Sequence, residues 1–176
     1  IRMIRVEIGA LHESDVESVL RPIRSDLAPI TAASRDLMVA AGEPMQERLE
    51  QMGMIPVGGA VMTPAGDLGA DFVVHIVVSA PDEPENTASV QKALGNGLRR
   101  AADLGIESMT MPPLGMGIGA LEAEDSARAM LEILFNHLDE RVPPLDLRVA
   151  VGHQYEADIF GQIVRELAGH RTEVDG

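Results

Sequence analysis

The residues best placed to do chemistry lie in Met111 to Met130, "MPPLGMGIGALEAEDSARAM". Gly115, Gly117 and Gly119 alternate through a turn that follows a short apolar run and opens into a helix. Without Cβ, such residues let the backbone approach a ligand closely and reach positive φ. The helix beyond them begins with unpaired N–H groups and a partial positive charge. Gly115, Met116, Gly117, Ile118 and Gly119 therefore form a candidate phosphate seat. It is not a P-loop, because no Gly-Lys-Ser/Thr follows, nor a dinucleotide fingerprint, whose helix would begin inside the glycine run. Plain strand-to-helix punctuation accounts for the same glycines, and Glu122, Glu124 and Asp125 would satisfy the helix start themselves.

A second candidate is the pair Arg21 and Arg24, which flank Pro22 at the end of a predicted strand. Guanidinium groups there could hold a phosphate or carboxylate bidentately. A solvated or salt-bridged pair is the alternative on a chain with 28 acidic residues. His75 sits inside an apolar strand and reads as a hydrogen-bonded core residue. His12, His137, His153 and His170 fall in separate elements without metal-ligand spacing, and no nucleophile elbow is present. No catalytic residue, metal or cofactor is assigned.

Stepping outward, 176 residues suffice for one domain with a substantial core. Apolar residues make up 45% of the chain, but aromatics are only Phe72, Phe135, Tyr155 and Phe160, so the core must be aliphatic with ten Met. The absence of cysteine excludes disulfides and thiolate chemistry. No apolar run is long enough to span a bilayer and no signal-peptide pattern opens the chain. A cytoplasmic location is the expectation. The first residue is Ile1 rather than Met, compatible with numbering that starts inside a longer chain. The formal charge of −14 argues against nucleic-acid and anionic-membrane partners, though not against a small anion met by local dipoles.

The elements that must position these residues alternate. Strands are predicted at Arg2–Ile8, Glu17–Leu20, Val57–Thr63, Phe72–Ser79, Ser108–Met111 and Leu145–Val151. Helices are predicted at Ala32–Ala41, Pro44–Met52, Ser89–Leu104, Glu122–Leu138 and Tyr155–Leu167. Residues 1–168 read as one domain and 169–176 as a polar tail. The fold class is α/β, a three-layer α/β/α sandwich with a mixed central sheet. In such sheets the ligand crevice opens at the carboxyl ends of the strands, where the glycine loop lies.

Two blocks carry a resemblance. "GGAVMTPAGDLGADFVVHIVV" (Gly58–Val78) looks like the paired central strands of the macro domain family. "SVQKALGNGLRRAADLGIESMTMPPLGMGIG" (Ser89–Gly119) is similar to that family's long helix, strand and second phosphate loop. The resemblance spans about Val6 to Leu167 and implies a fold that binds ADP-ribose and related nucleotides. Gly117 and Ile118 match the Gly-Ile core of the second loop, with Gly115 and Met116 in place of Ser-Thr and Gly119 where an aromatic is common.

Other family positions depart from the pattern. The Asp that reads the adenine amino group falls on Ala10, and the Asn-Ala-Ala-Asn motif on "RPIR", Arg21 to Arg24. The glycine-rich first phosphate loop falls on "APITAASRD", Ala28 to Asp36. The aromatic that stacks on adenine falls near Gly152-His153-Gln154, with Tyr155 next to it. The resemblance implies a binding module for ADP-ribose or a related phosphate-containing nucleotide. The alternatives are a decayed pocket with a structural or homo-oligomeric role, and a hydrolase of ADP-ribose linkages or O-acetyl-ADP-ribose.

Overall fold

The computed structural model describes residues 3–13, 15–117 and 120–175, with side chains through residue 171. Six strands occur among the described residues: β1 (Met3–Ile8), β2 (Ser18–Arg24), β3 (Ala60–Pro64), β4 (Phe72–Ser79), β5 (Ser108–Met111) and β6 (Asp146–Val151). They form one sheet in the order β1-β6-β5-β2-β4-β3, parallel except where β3 runs against β4. Five helices accompany them: α1 (Ala32–Ala41), α2 (Glu43–Glu50), α3 (Thr87–Asp103), α4 (Ala123–Asp139) and α5 (Gln154–Asp175).

The β-branched run of β4 explains its central place, because a strand buried on both faces reads as continuously apolar. Val74, Ile76 and Val78 point into a large cluster with the apolar stripes of α3 and α4 and with Phe160 and Ile163 of α5. Val73 and Val77 alternate to the other face, under α1 and α2. Helix α3 starts at a capping box, in which the Ser89 N–H donates to Asn86 Oδ1 at 2.9 Å and the Asn86 N–H to Ser89 Oγ at 2.9 Å. It lies flush on the sheet at Gly97, where a Cβ would meet Ile76 at 2.8 Å. The layer made by α1 and α2 covers the β2–β4 side of its face. Toward the β1 edge, Arg5 and Arg148 instead clasp Asp146, each with Nη2 at 2.9 Å from Oδ2.

The largest departures from the expected element boundaries are at the ends of β2 and α5. Strand β2 continues past Leu20 to Arg24, through Pro22. Its pairing with β5 stops at Val19, so at Pro22 no β5 partner requires the missing proline N–H. Helix α5 does not stop at Leu167 but runs to Asp175, through the segment read as a polar tail. Arg171 docks that extension on α4: its guanidinium lies 4.8 Å from the Phe135 ring centroid and donates to Asp139 Oδ2 at 3.1 Å. No helix of the described residues is long and apolar enough to cross a membrane.

Candidate functional site

Strands β1, β6 and β5 are parallel neighbours, and the loops at their carboxyl ends meet in a cleft of about 440 Å³. Gly9 and Ala10 arrive from β1, Pro112 and Pro113 from β5, and Gly152 and His153 from β6. The position is where an open α/β sheet gathers a ligand, and the volume suits a small molecule.

The opposite rim is the start of α1, contributing Thr31, Ala33 and Asp36. Thr31 caps this helix, its Oγ1 accepting the Ser34 N–H at 3.1 Å. The Arg35 N–H is taken by the Thr31 carbonyl at 3.0 Å. Among the described residues the Ala32 and Ala33 amides find no acceptor, as a helix start leaves them. The segment aligned with the first phosphate loop thus presents an unengaged amide at the cleft, that of Ala33, with the Ala32 amide next to it.

The third side is the first turn of α5. The rings of His153 and Tyr155 stack with centroids 5.8 Å apart and planes 14° from parallel. Tyr155 is 57% exposed, a large apolar ring left open to solvent beside the cleft. Next to it Glu156 lines the same cleft yet is only 8% exposed. The lining carries His12, His153, Asp36 and Glu156 but no lysine or arginine among the described residues.

The glycine loop is shaped differently from the expected seat. Gly115 has φ of 79° and its carbonyl accepts the Leu121 N–H at 2.7 Å. A side chain there would strike Leu121 at 2.7 Å. The Gly117 N–H, expected to be open to a ligand, donates to Glu85 Oε1 at 2.6 Å. Burial pushes the Glu85 carboxyl above its ordinary value, and the Gly117 N–H pulls against that shift. Its other oxygen, Oε2, is buried without a partner among the described residues. An anion of the protein's own therefore engages the amide proposed for phosphate. Met116 alone of this loop's described residues lines the cleft, while Ile118 and Gly119 lie outside the described residues.

Neither arginine faces the cleft. Arg21 is 0% exposed beneath α1, its Nε donating to His75 Nδ1 at 2.9 Å and its Nη1 to the Ser34 carbonyl at 3.2 Å. Because Nδ1 accepts, the imidazole proton sits on Nε2 and is donated to Thr63 Oγ1 at 2.8 Å. Burial lowers the Arg21 pKa to about 10, and holds His75 neutral, well below its ordinary value, with help from the Arg21 charge. Arg21 Nη2 has no hydrogen-bond partner among the described residues. Arg24 is drawn off by its neighbour, forming a two-pronged pair with Asp26 at 2.8 and 2.7 Å. The expectation of a guanidinium clamp thus gives way to a core network and a surface ion pair. His75 is the hydrogen-bonded core residue expected.

Of the cleft residues, Thr31, Ala33 and Asp36 fall in the segment aligned with the first phosphate loop and Tyr155 beside the stacking position, whereas Glu156 had no expected role. Tyr155 carried a signal, as the chain's one tyrosine just past the last strand. Glu156 carried none. No group of three or more candidate metal ligands occurs among the described residues.

The family model described as Macro domain matches residues 31–130. A protein of Aeropyrum pernix without an assigned function is 34% identical over 128 residues, covering 72% of this chain and 68% of the relative. A similarly unassigned protein of Mycobacterium tuberculosis is 26% identical, covering 78% of this chain but only 39% of the relative. An O-acetyl-ADP-ribose deacetylase of Enterobacter cloacae is 30% identical over 97 residues, 54% of each chain. The fold matches a macrodomain of Oceanobacillus iheyensis with ADP, at a TM-score of 0.80, 15% identity and coverage of 94% and 91%. It also matches a macrodomain of Trypanosoma brucei in complex with ADP-ribose, at a TM-score of 0.82, 16% identity and coverage of 92% and 68%.

Proposed function

The chain belongs to the macro domain family, and on that premise we propose that its cleft binds an adenosine-containing phosphate metabolite of the ADP-ribose type, as a binding module rather than a hydrolase. The observation that carries this reading is the convergence of the β1, β5 and β6 loops with the start of α1 on one cleft bearing the Tyr155–His153 stack. A planar base gains contact area on the open Tyr155 ring. A phosphate gains the Ala32 and Ala33 amides and the positive end of α1. Turnover is not expected, because Arg21 and Arg24 stand where the resemblance places the Asn-Ala-Ala-Asn motif, and both are engaged with the protein.

The Glu85–Gly117 bond favours a second reading, a fold whose pocket has lapsed and whose role is assembly. Calorimetric titration with ADP-ribose at low salt, paired with thermal melting, separates the two. Ligand at a hundredfold excess over Kd stabilises a binding module by about 2.7 kcal/mol. Absence of heat and of any melting shift with ADP-ribose or ADP would overturn the binding reading.

A further inference from the structure

Glu156 is a buried ionisable group that lines the cleft. It stands in the first turn of α5, where a carboxylate ordinarily complements the helix dipole or reaches back to close a capping box. The box is not formed: no hydrogen bond or ion pair engages the Glu156 carboxylate among the described residues. The side chain nevertheless folds back toward the strand end, so that a Cβ at Gly152 would meet Oε1 at 3.8 Å. It is 8% exposed, and what it is exposed to is the cleft. Its stem is buried while its carboxylate oxygens, absent from the buried unpartnered atoms, stay open to the cleft as ready acceptors.

We propose that Glu156 is the specificity-determining residue of the cleft, accepting a hydrogen bond from an exocyclic amino group on a heterocycle laid against Tyr155. This rests on the nucleotide-binding reading. An ionised carboxylate is an acceptor only, so it rewards an N–H donor and penalises a carbonyl oxygen at the same place. Ala10, which lines the same cleft, offers no side-chain acceptor, and the other lining carboxylate, Asp36, is exposed to water and gains less from pairing. The ligand class is therefore a 6-aminopurine nucleotide rather than its 6-oxo analogue.

The test compares the wild-type chain and Glu156→Gln for binding of ADP-ribose and of its inosine counterpart, in which oxygen replaces the 6-amino group. The wild type is expected to prefer ADP-ribose at least about tenfold. Glu156→Gln, nearly isosteric and able both to donate and to accept, is expected to bind the two within about threefold of one another. Equal binding by the wild type overturns the assignment without using any variant. So does a preference that survives in Glu156→Gln. Binding of neither nucleotide overturns the nucleotide reading, and the role of Glu156 falls with it.

Discussion

Glu85 Oε1 lies 2.6 Å from the Gly117 amide nitrogen, so the carboxylate of one loop occupies the hydrogen-bond donor of another. Any phosphate approaching Gly117 must displace that carboxylate or sit beside it against like-charge repulsion. Glu85→Gln removes the charge and retains the shape. The variant is expected to bind ADP-ribose about fivefold more tightly, or better, in calorimetric titration.

The same substitution has a pH signature. Burial raises the Glu85 pKa, so its contribution to stability is fully present below the ordinary value of 4.5 and is lost as pH rises through the elevated one. Gln does not titrate. The stability advantage of Glu85→Gln over the wild type is therefore expected to open from pH 4.5 upward in melts run across that range.

Tyr155→Ala removes the open ring of the cleft. Stacking of a base on an aromatic side chain contributes about 1–3 kcal/mol, so ADP-ribose affinity should fall roughly fivefold to a hundredfold. With the ring 57% exposed, global stability should change by less than about 0.5 kcal/mol. A large stability loss would mean that the ring supports the fold instead.

His75→Leu strips the Arg21 Nε of its acceptor inside the core and is expected to cost about 2–3 kcal/mol in denaturant unfolding. The double substitution Arg21→Met with His75→Leu removes donor and acceptor together and should recover at least half of that loss. The wild type should also weaken in acid. The unfolded imidazole protonates below its ordinary 6.5 while His75 in the fold stays neutral, so stability falls by about 1.4 kcal/mol per pH unit for this one proton. His137, also lowered by burial, adds in the same direction. The double variant should show an acid slope shallower by the His75 share.

Arg171→Ala tests whether the end of α5 is part of the folded unit. Loss of the contact with Phe135 and of the bond to Asp139 should cost about 0.5–1 kcal/mol and fray the helix end, read by hydrogen exchange beyond residue 168.

What was legible in the sequence was whatever rested on periodicity. The stripe Val90, Ala93, Leu94, Gly97, Leu98 and Ala101 is buried as expected, and the β-branched run of β4 sits at the heart of the sheet. The glycine loop was legible as a turn but not as an engaged one, because its partner Glu85 is 32 residues away in the chain. Arg21 misled for a related reason. A cation beside a proline at a strand end reads as surface, and only the pairing of β2 with β4 shows that His75 and Ser34 enclose it. Helix α5 outran its expected end because Arg171 finds a ring on a different helix.

The Arg21–His75 contact also bears on how β2 and β4 find their alignment. Sliding one strand along the other by two residues would keep every side chain on its own face, and the surrounding Val19, Ile23, Val73 and Val77 would hardly register the change. Arg21 would then oppose a valine, stranding a guanidinium in hydrocarbon. The polar pair thus works as a key that fits one notch, rejecting misthreaded sheets that the apolar residues alone would accept.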